Sequence, residues 1–336
     1  MNELISIIVP FYKTEQDAFE KCIKSILAQT YNAIEIIIVD DGSGEGYTQI
    51  LEVVKLLDKR ISVHIRSENQ GLSATRNYGL KVSSGNYIIF IDSDDVISID
   101  LVENLYSLML SNNADMVIGE LKAISSYELA RCNHNDISNH AVLSTVDSLK
   151  NMVTNNGFGS TACGRLAKKE VWLSNGDEVF PVGKLHEDLG TMWKIVMKCK
   201  TIVFAKGEYY YYYQGNSSSI HTKKASKQFC EDFYDALRIR NEYLSKEYPE
   251  LNVELAFSYL MYCPLIYLFS NDSDDIEWKS KIQSDLINSF RNNYKTGLLY
   301  SGLRFKQKVK FVFFRINPRL YEVSYKLMRK SKGYRS

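Results

Sequence analysis

Four short strand-like segments punctuate the first hundred residues, at 5–9, 34–39, 63–65 and 87–91. The last is apolar throughout, without alternation, which suits a strand buried on both faces of a parallel sheet. Between them, apolar residues return at helical spacing. Phe19, Cys22, Ile23, Ile26 and Leu27 make one such face, with Thr14 as the N-cap, and Ile50, Val53, Val54 and Leu57 make a second. A third helix is read over 73–82, after a turn at Asn69-Gln70-Gly71. The order β-α-β-α-β-α-β predicts a parallel sheet with right-handed crossovers, a Rossmann-like layout.

Past residue 95 the pattern loosens. Residues 115–119 suggest a further strand, whereas 120–143 are polar and show no period. Helical spacing returns near 145–154 and again after Leu185. Residues 203–205 and 209–213 read as two late strands. The second is a run of tyrosines whose members alternate between faces, most of them for packing. Trp172 and Trp193 are expected in the core, and from about Ala225 the chain reads as helical throughout.

At 336 residues, 45% hydrophobic and 24% charged, the chain suits one large globular domain or two smaller ones. Its net charge of +1 conceals an asymmetry. Residues 304–336 hold eleven Lys or Arg against one acid, Glu322, so that segment carries +10 and residues 1–303 about −9. The cysteines Cys22, Cys132, Cys163, Cys199, Cys230 and Cys263 are scattered, with no C-x-x-C. That argues against a zinc site or disulfide framework and fits a reducing cytosol. No uninterrupted apolar stretch reaches about 18 residues, so no bilayer span is expected, and Met1-Asn2-Glu3-Leu4 lacks the shape of a signal peptide.

The chemistry concentrates where strands end. The run 87–91 stops at Asp92-Ser93-Asp94-Asp95. Crowded carboxylates repel one another, a cost met where a divalent cation sits among them, and open α/β sheets bind ligands at the carboxyl ends of their strands. The other reading is a helix N-cap, Ser98 or Asp95, for a helix through Leu101, Val102, Leu105, Leu108 and Met109. Pro10 and Tyr12 follow the first strand, and Asp40 and Asp41 the second. An aromatic beside a carboxylate suits a nucleobase, although Asp40-Asp41-Gly42-Ser43 also suits a plain turn. Neither G-x-G-x-x-G nor a P-loop is present, which excludes the usual dinucleotide and ATPase sites. Glu187 and Asp188 open an apolar-faced helix, where acids favour the helix dipole whether or not they are catalytic.

Four segments together resemble the family 2 glycosyltransferases of GT-A fold, of the type that builds bacterial capsule, lipopolysaccharide or exopolysaccharide. They are Ser6-Ile7-Ile8-Val9-Pro10-Phe11-Tyr12, Val39-Asp40-Asp41-Gly42-Ser43, Asn69-Gln70-Gly71-Leu72-Ser73-Ala74-Thr75-Arg76-Asn77 and Phe90-Ile91-Asp92-Ser93-Asp94-Asp95. The match is weaker through Ser160-Thr161-Ala162-Cys163-Gly164-Arg165 and His186-Glu187-Asp188 to about His221.

The resemblance implies an α/β catalytic domain over 1–222, with a nucleotide half at 1–95 and an acceptor half at 96–222, followed by a helical region at 223–336. It implies that Asp41 reads the uracil edge with Pro10 and Tyr12 lining the base. Asn69 and Gly71 form the turn beside the diphosphate, and Arg76 stands near it. Asp92 and Ser93 face ribose or sugar. Asp94 holds Mn²⁺ or Mg²⁺, joined by His221 or, in competition, His186. Asp188 is the general base, and Arg165 or Phe158 are candidate contacts to the donor sugar. The implied reaction is inverting, metal-dependent transfer of a hexose or N-acetylhexosamine from a UDP-sugar to a saccharide acceptor, lipid-linked in this class. The rival is a non-catalytic nucleotide-sugar-binding or scaffold subunit. A nucleotidyltransferase would want a basic, glycine-rich loop where Pro10-Phe11-Tyr12-Lys13-Thr14-Glu15 stands.

In the basic segment, Phe305, Val309, Val312, Phe313 and Ile316 share one helical face, with Lys306, Lys308, Lys310 and Arg315 on or near the other side. Pro318 breaks the helix, and Leu320, Val323 and Leu327 begin another amphipathic piece. Such helices suit an anionic bilayer surface. A helix packed on its own domain with a solvated basic face is the alternative, and a nucleic-acid partner fits poorly with an acidic body. The expected setting is cytoplasmic, at the inner face of the membrane, and the helical region could support a homodimer.

Overall fold

The computed structural model describes residues 3–130, 134–215 and 225–331, so Cys132 and the expected metal ligand His221 lie outside the described residues. The chain forms two compact units, Met1–Thr222 and Lys223–Ser336.

The first unit opens with β1 (Ile5–Phe11), α1 (Gln16–Leu27), β2 (Ile34–Asp40), α2 (Glu45–Lys55), β3 (Ile61–Ile65), α3 (Leu72–Val82) and β4 (Tyr87–Phe90). Every residue of β1 is buried, and Ile8 pairs with Ile37 on one side and Phe90 on the other, all in parallel. The runs thus predict the surroundings of β1, β2 and β4, whereas β3, at the end of the sheet, is largely half-buried with Ile65 exposed. In α3 the helix backbone lies directly on β1, for a Cβ at Gly79 would come within 2.4 Å of Ile8 Cγ2.

The second half adds β5 (Val96–Ile97), α4 (Leu101–Ser111), β6 (Met116–Ile124), β7 (His140–Leu143), α5 (Thr145–Thr154), β8 (Arg165–Lys168), α6 (Lys169–Trp172), α7 (Glu187–Val196) and β9 (Ile202–Tyr213). Nine strands among the described residues form one sheet in the order β3-β2-β1-β4-β8-β6-β9-β5, with β7 also pairing with β9. Only the half from β3 to β4 is purely parallel, because β8, β5 and β7 run against their neighbours.

Several expectations change here. The strand begun at 115–119 runs on to Ile124, and the two late strands are one, interrupted by a register shift opposite Gly119 and Leu121. Thr14 does not cap α1. Its hydroxyl lies 2.6 Å from Ser93 Oγ, and Glu15 occupies the cap position. Neither Asp95 nor Ser98 caps α4, which starts from Asp100, so the capping explanation of the acidic cluster falls away. Trp172 and Trp193 are buried.

The second unit comprises α8 (Lys227–Glu247), α9 (Asn252–Ser270), α10 (Ile276–Gly297), α11 (Phe305–Ile316) and α12 (Pro318–Ser331). Leu255, Leu260, Cys263 and Ile266 of α9 and Ile282, Leu286 and Phe290 of α10 are buried. By length and composition the segment Pro249–Ser270 could cross a bilayer. The count of uninterrupted apolar residues missed it because Ser258, Tyr259 and Tyr262 break the run. With 61% of that window buried in the structure, it serves as a core helix.

Candidate active site

The parallel strands β2, β1 and β4 deliver their carboxyl ends to one edge of the sheet. At the end of β2, Asp40 accepts from Ser43 Oγ (2.5 Å) and Ser43 N (3.2 Å), which closes the turn. Asp41 is 3% exposed and points the other way. Its Oδ1 accepts from Gln70 N (3.0 Å) and Arg66 Nη1 (3.1 Å), and its Oδ2 from Gly71 N (2.8 Å). The loop before α3 is therefore pinned to the end of β2. The approach is close: a Cβ at Gly42, whose φ is +71°, would meet the Glu68 carbonyl carbon at 2.6 Å. Arg66 was not foreseen, since a lone arginine after a strand carries no motif. Asn69 is exposed beside this junction. Tyr12 is 45% exposed, with Lys13 Nζ 5.1 Å from its ring centre. Pro10, by contrast, is buried within β1 opposite Val39 and presents no open face to a base.

The D-x-D segment is anchored through alternate residues. Tyr210 Oη donates to Asp95 Oδ2 (2.6 Å) and accepts from Asp92 N–H (3.1 Å), while Tyr213 N–H donates to Asp95 Oδ1 (2.8 Å). Burial, then the charges of Asp92 and Asp94, hold the Asp95 carboxyl well above the ordinary carboxylate range. Ser93 is also inside, bonded to Thr14. With Ser93 and Asp95 fixed inward, Asp92 and Asp94 remain partly exposed. Tyr127 Oη secures the Asp94 carbonyl (2.6 Å), and Cys22 Sγ donates to the Asp92 carbonyl (3.5 Å). Burial, then Asp95, Asp94 and Asp92, push the Cys22 thiol up, so it is a neutral packing group. Tyr210 is the anchor that sequence reasoning missed. The alternation of the tyrosine run gave its periodicity but not which ring reached the acids.

A third group joins these from far along the chain. Arg76 is fully buried, its guanidinium 5.9 Å from the ring centre of Phe90 and 5.4 Å from that of Phe180. Nη1 donates to Glu187 Oε1 and Asp188 Oδ1, both at 2.8 Å, and Nη2 lies 3.3 Å from Asp92 Oδ1. Burial alone would lower its pKa. Asp188, Cys163, Asp92 and Glu187 outweigh that and hold it well above the usual value. This corrects the expected contact to a diphosphate: the guanidinium, with its side chain 2% exposed, is committed to carboxylates. Asp188 Oδ2 accepts from Ala162 N (3.0 Å), so both of its oxygens are positioned. Burial pushes the Asp188 carboxyl up, and burial with the neighbouring Asp188 pushes Glu187 up to about 7.

Glu187 and Asp188 occupy the first turn of α7, which follows His186 in a left-handed conformation (φ 57°, ψ 37°). Arg165 and Phe158 are buried rather than offered to a sugar. Arg165 Nε donates to Thr161 O (2.5 Å) and Nη2 to Gly159 O, with Phe158 stacked at 5.4 Å. They support the loop that delivers the Ala162 N–H.

Residues 6–170 match the family model described as Glycosyl transferase family 2. Over 230 residues the chain is 31% identical to the glycosyltransferase GlyG of Streptococcus pneumoniae serotype 4 (strain ATCC BAA-334 / TIGR4), covering 66% of this chain and 75% of GlyG. The chain belongs to glycosyltransferase family 2. The glycosyltransferase GlyA of the same strain is 34% identical over 232 residues, 67% of this chain but only 33% of GlyA. The chain thus spans about a third of the length of GlyA. Among solved structures, S. aureus TarS 1–349 in complex with UDP-GlcNAc superposes with a TM-score of 0.67 at 18% identity, covering 98% of this chain and 93% of that one. That likeness establishes the GT-A fold. The family match ends at residue 170, so Asp188 enters the site through its hydrogen bond to Arg76, which lies within the matched region.

Among the described residues, no three His, Cys, Asp or Glu side chains converge as a ready cation cage. The donor set still fits a hard divalent ion. Asp92 and Asp94 are partly exposed oxygen donors on one short segment, and their combined negative charge helps raise Asp95. Mg²⁺-type ions are commonly held by one or two carboxylates together with substrate phosphates rather than by an all-protein cage.

Proposed function

We propose that this family 2 enzyme transfers a hexose or N-acetylhexosamine from a UDP-sugar to a hydroxyl of a saccharide acceptor, with inversion, in the synthesis of a cell-surface polysaccharide. The observation that carries the reading is the clamp on Asp188. One oxygen is held by Arg76, which also reaches Asp92, and the other by the Ala162 N–H. A carboxylate fixed in that way, with its pKa raised by burial, suits a general base that takes a proton from an attacking hydroxyl. Transfer by a single displacement then inverts the anomeric centre.

Asp41, Tyr12 and the 69–71 turn shape the nucleotide end of the site and Asp92 its ribose or sugar side, while Ser93, expected there too, is turned inward onto Thr14. The UDP-GlcNAc bound to TarS favours a uridine donor. Asp94, beside Asp92, would hold Mn²⁺ or Mg²⁺, which when bound neutralises charge on the departing diphosphate. Arg76 acts from beneath by aiming Asp188 and Asp92. The acceptor is a lipid-linked saccharide met at the inner face of the membrane.

The test is UDP release from UDP-hexoses and UDP-N-acetylhexosamines, measured with Mn²⁺ and with EDTA, alongside calorimetric titration of UDP. Metal-dependent UDP binding and turnover of one donor class are expected. Well-folded protein that binds no uridine nucleotide under either condition would overturn the donor reading.

A further inference from the structure

The helices α11 and α12 turn their apolar side chains in two opposite directions. At about 100° per residue, Phe305, Val309, Val312 and Ile316 of α11 share one side, with Phe313 at its edge, while Phe311 and Phe314 point away from it. The second pair anchors the helix: both residues are buried, and Phe314 packs 4.8 Å from the ring centre of Phe290 and 5.4 Å from that of Tyr321 of α12. The first set faces solvent. Phe305 is 78% exposed and Ile316 69%, and Leu320 and Val323 of α12 are half exposed in the same manner. Folding of the helical unit therefore does not explain this outer stripe, because the unit already has its own anchors.

Charge identifies what covers it. Around α11, Lys308 and Arg315 lie on one flank of the stripe and Lys306 and Lys310 on the other, and Arg319 follows at the start of α12. Lys306, Lys308, Arg315 and Arg319 are exposed. An apolar centre bordered on both sides by long cations is what an interfacial helix requires: the centre enters the acyl boundary and the flanking heads reach phosphates. A second copy of this chain is a poor occupant, since it would set one segment of charge +10 against another.

We propose that the outer face of α11, continued by Leu320 and Val323 of α12, is a docking surface for an anionic lipid bilayer. Binding is peripheral, with Phe305, Val309, Val312 and Ile316 inserted and the flanking lysines and arginines on lipid phosphates. This deepens the proposed meeting with a lipid-linked acceptor, but it does not depend on the identity of the donor.

The experiment is co-sedimentation of the full chain, without nucleotide, with vesicles of phosphatidylcholine alone or mixed equally with phosphatidylglycerol. The wild type should bind only the mixed vesicles and should be released by salt. The variant Phe305→Ser with Ile316→Ser should bind about tenfold or more weakly. Lys306→Glu with Lys308→Glu should bind on the order of a hundredfold more weakly. All four positions are exposed, so thermal melting and UDP titration should match the wild type. Those controls separate failure of this surface from failure of the nucleotide site. Equal partitioning of wild type and both variants, or no binding to mixed vesicles, would overturn the proposal. So would a dimer that Phe305→Ser with Ile316→Ser dissolves while vesicle binding persists.

Discussion

The first unit contains two acid clusters, and they are held in different ways. Asp92–Asp95 is secured mainly by neutral donors, Tyr210 and the Tyr213 N–H on Asp95 and Thr14 on Ser93, with Arg76 reaching only Asp92, at 3.3 Å. Glu187 and Asp188 are secured by a buried cation, Arg76, with one further N–H from Ala162. Neutral donors fix the geometry of the first cluster and leave its acids crowded together, as the raised Asp95 carboxyl reports. A buried guanidinium both fixes and neutralises the second. Under the proposed function, the first arrangement suits acids that take a cation together with the donor's diphosphate. The second suits a base whose orientation is set before substrate arrives.

Removing the cation should break this contrast most severely. Arg76→Met leaves three carboxylates around an apolar side chain, and breaking a buried ion pair in that way costs about 3–5 kcal/mol. A large fall in melting temperature is expected, with loss of transfer. Asp188→Asn keeps the shape and removes only the proposed base. It should lower transfer by about 10²–10⁴-fold with UDP affinity unchanged, as single-turnover kinetics and titration calorimetry would read. Tyr210→Phe should be milder. It strips one hydroxyl from between Asp95 and the Asp92 N–H, a loss of about 1–3 kcal/mol for buried groups left unsatisfied. It should also weaken UDP binding, which Asp188→Asn should not.

The pH dependence sharpens the comparison by the smallest margin. Asp188 and Glu187 are both raised by burial, so the protonated forms persist to higher pH than in an ordinary carboxylate of pKa about 4. The proposed transfer requires the deprotonated base. The rate should therefore fall as pH drops through a value above the usual carboxylate range. An acid limb at the ordinary carboxylate value would contradict the burial of the base.

Much of this was readable along the chain because burial on both sides leaves continuous apolar runs. β1, β2 and β4 followed from 5–9, 34–39 and 87–91, and the acids at their ends followed from strand direction. The strands β5 and β8, of two and four residues, are too short to show a period. Lys206-Gly207-Glu208 hid the continuity of β9, because a bulge there breaks the alternation. Thr14 looked like a cap, since its hydroxyl has no local sign of preferring Ser93. Arg76 was placed near the site but assigned to phosphate. Its partners Glu187 and Asp188 lie 111 and 112 residues away, a separation that no local pattern encodes. The basic segment showed its amphipathic stripe in sequence, but not that Phe311 and Phe314, outside that stripe, would be the residues that pack.

The most direct test of the central claim is single-turnover sugar transfer by Asp188→Asn, run beside its UDP titration. The account predicts wild-type UDP affinity with transfer nearly abolished and an acid limb that no longer tracks a raised carboxylate. Transfer at the wild-type rate would contradict it and remove Asp188 from the role of base.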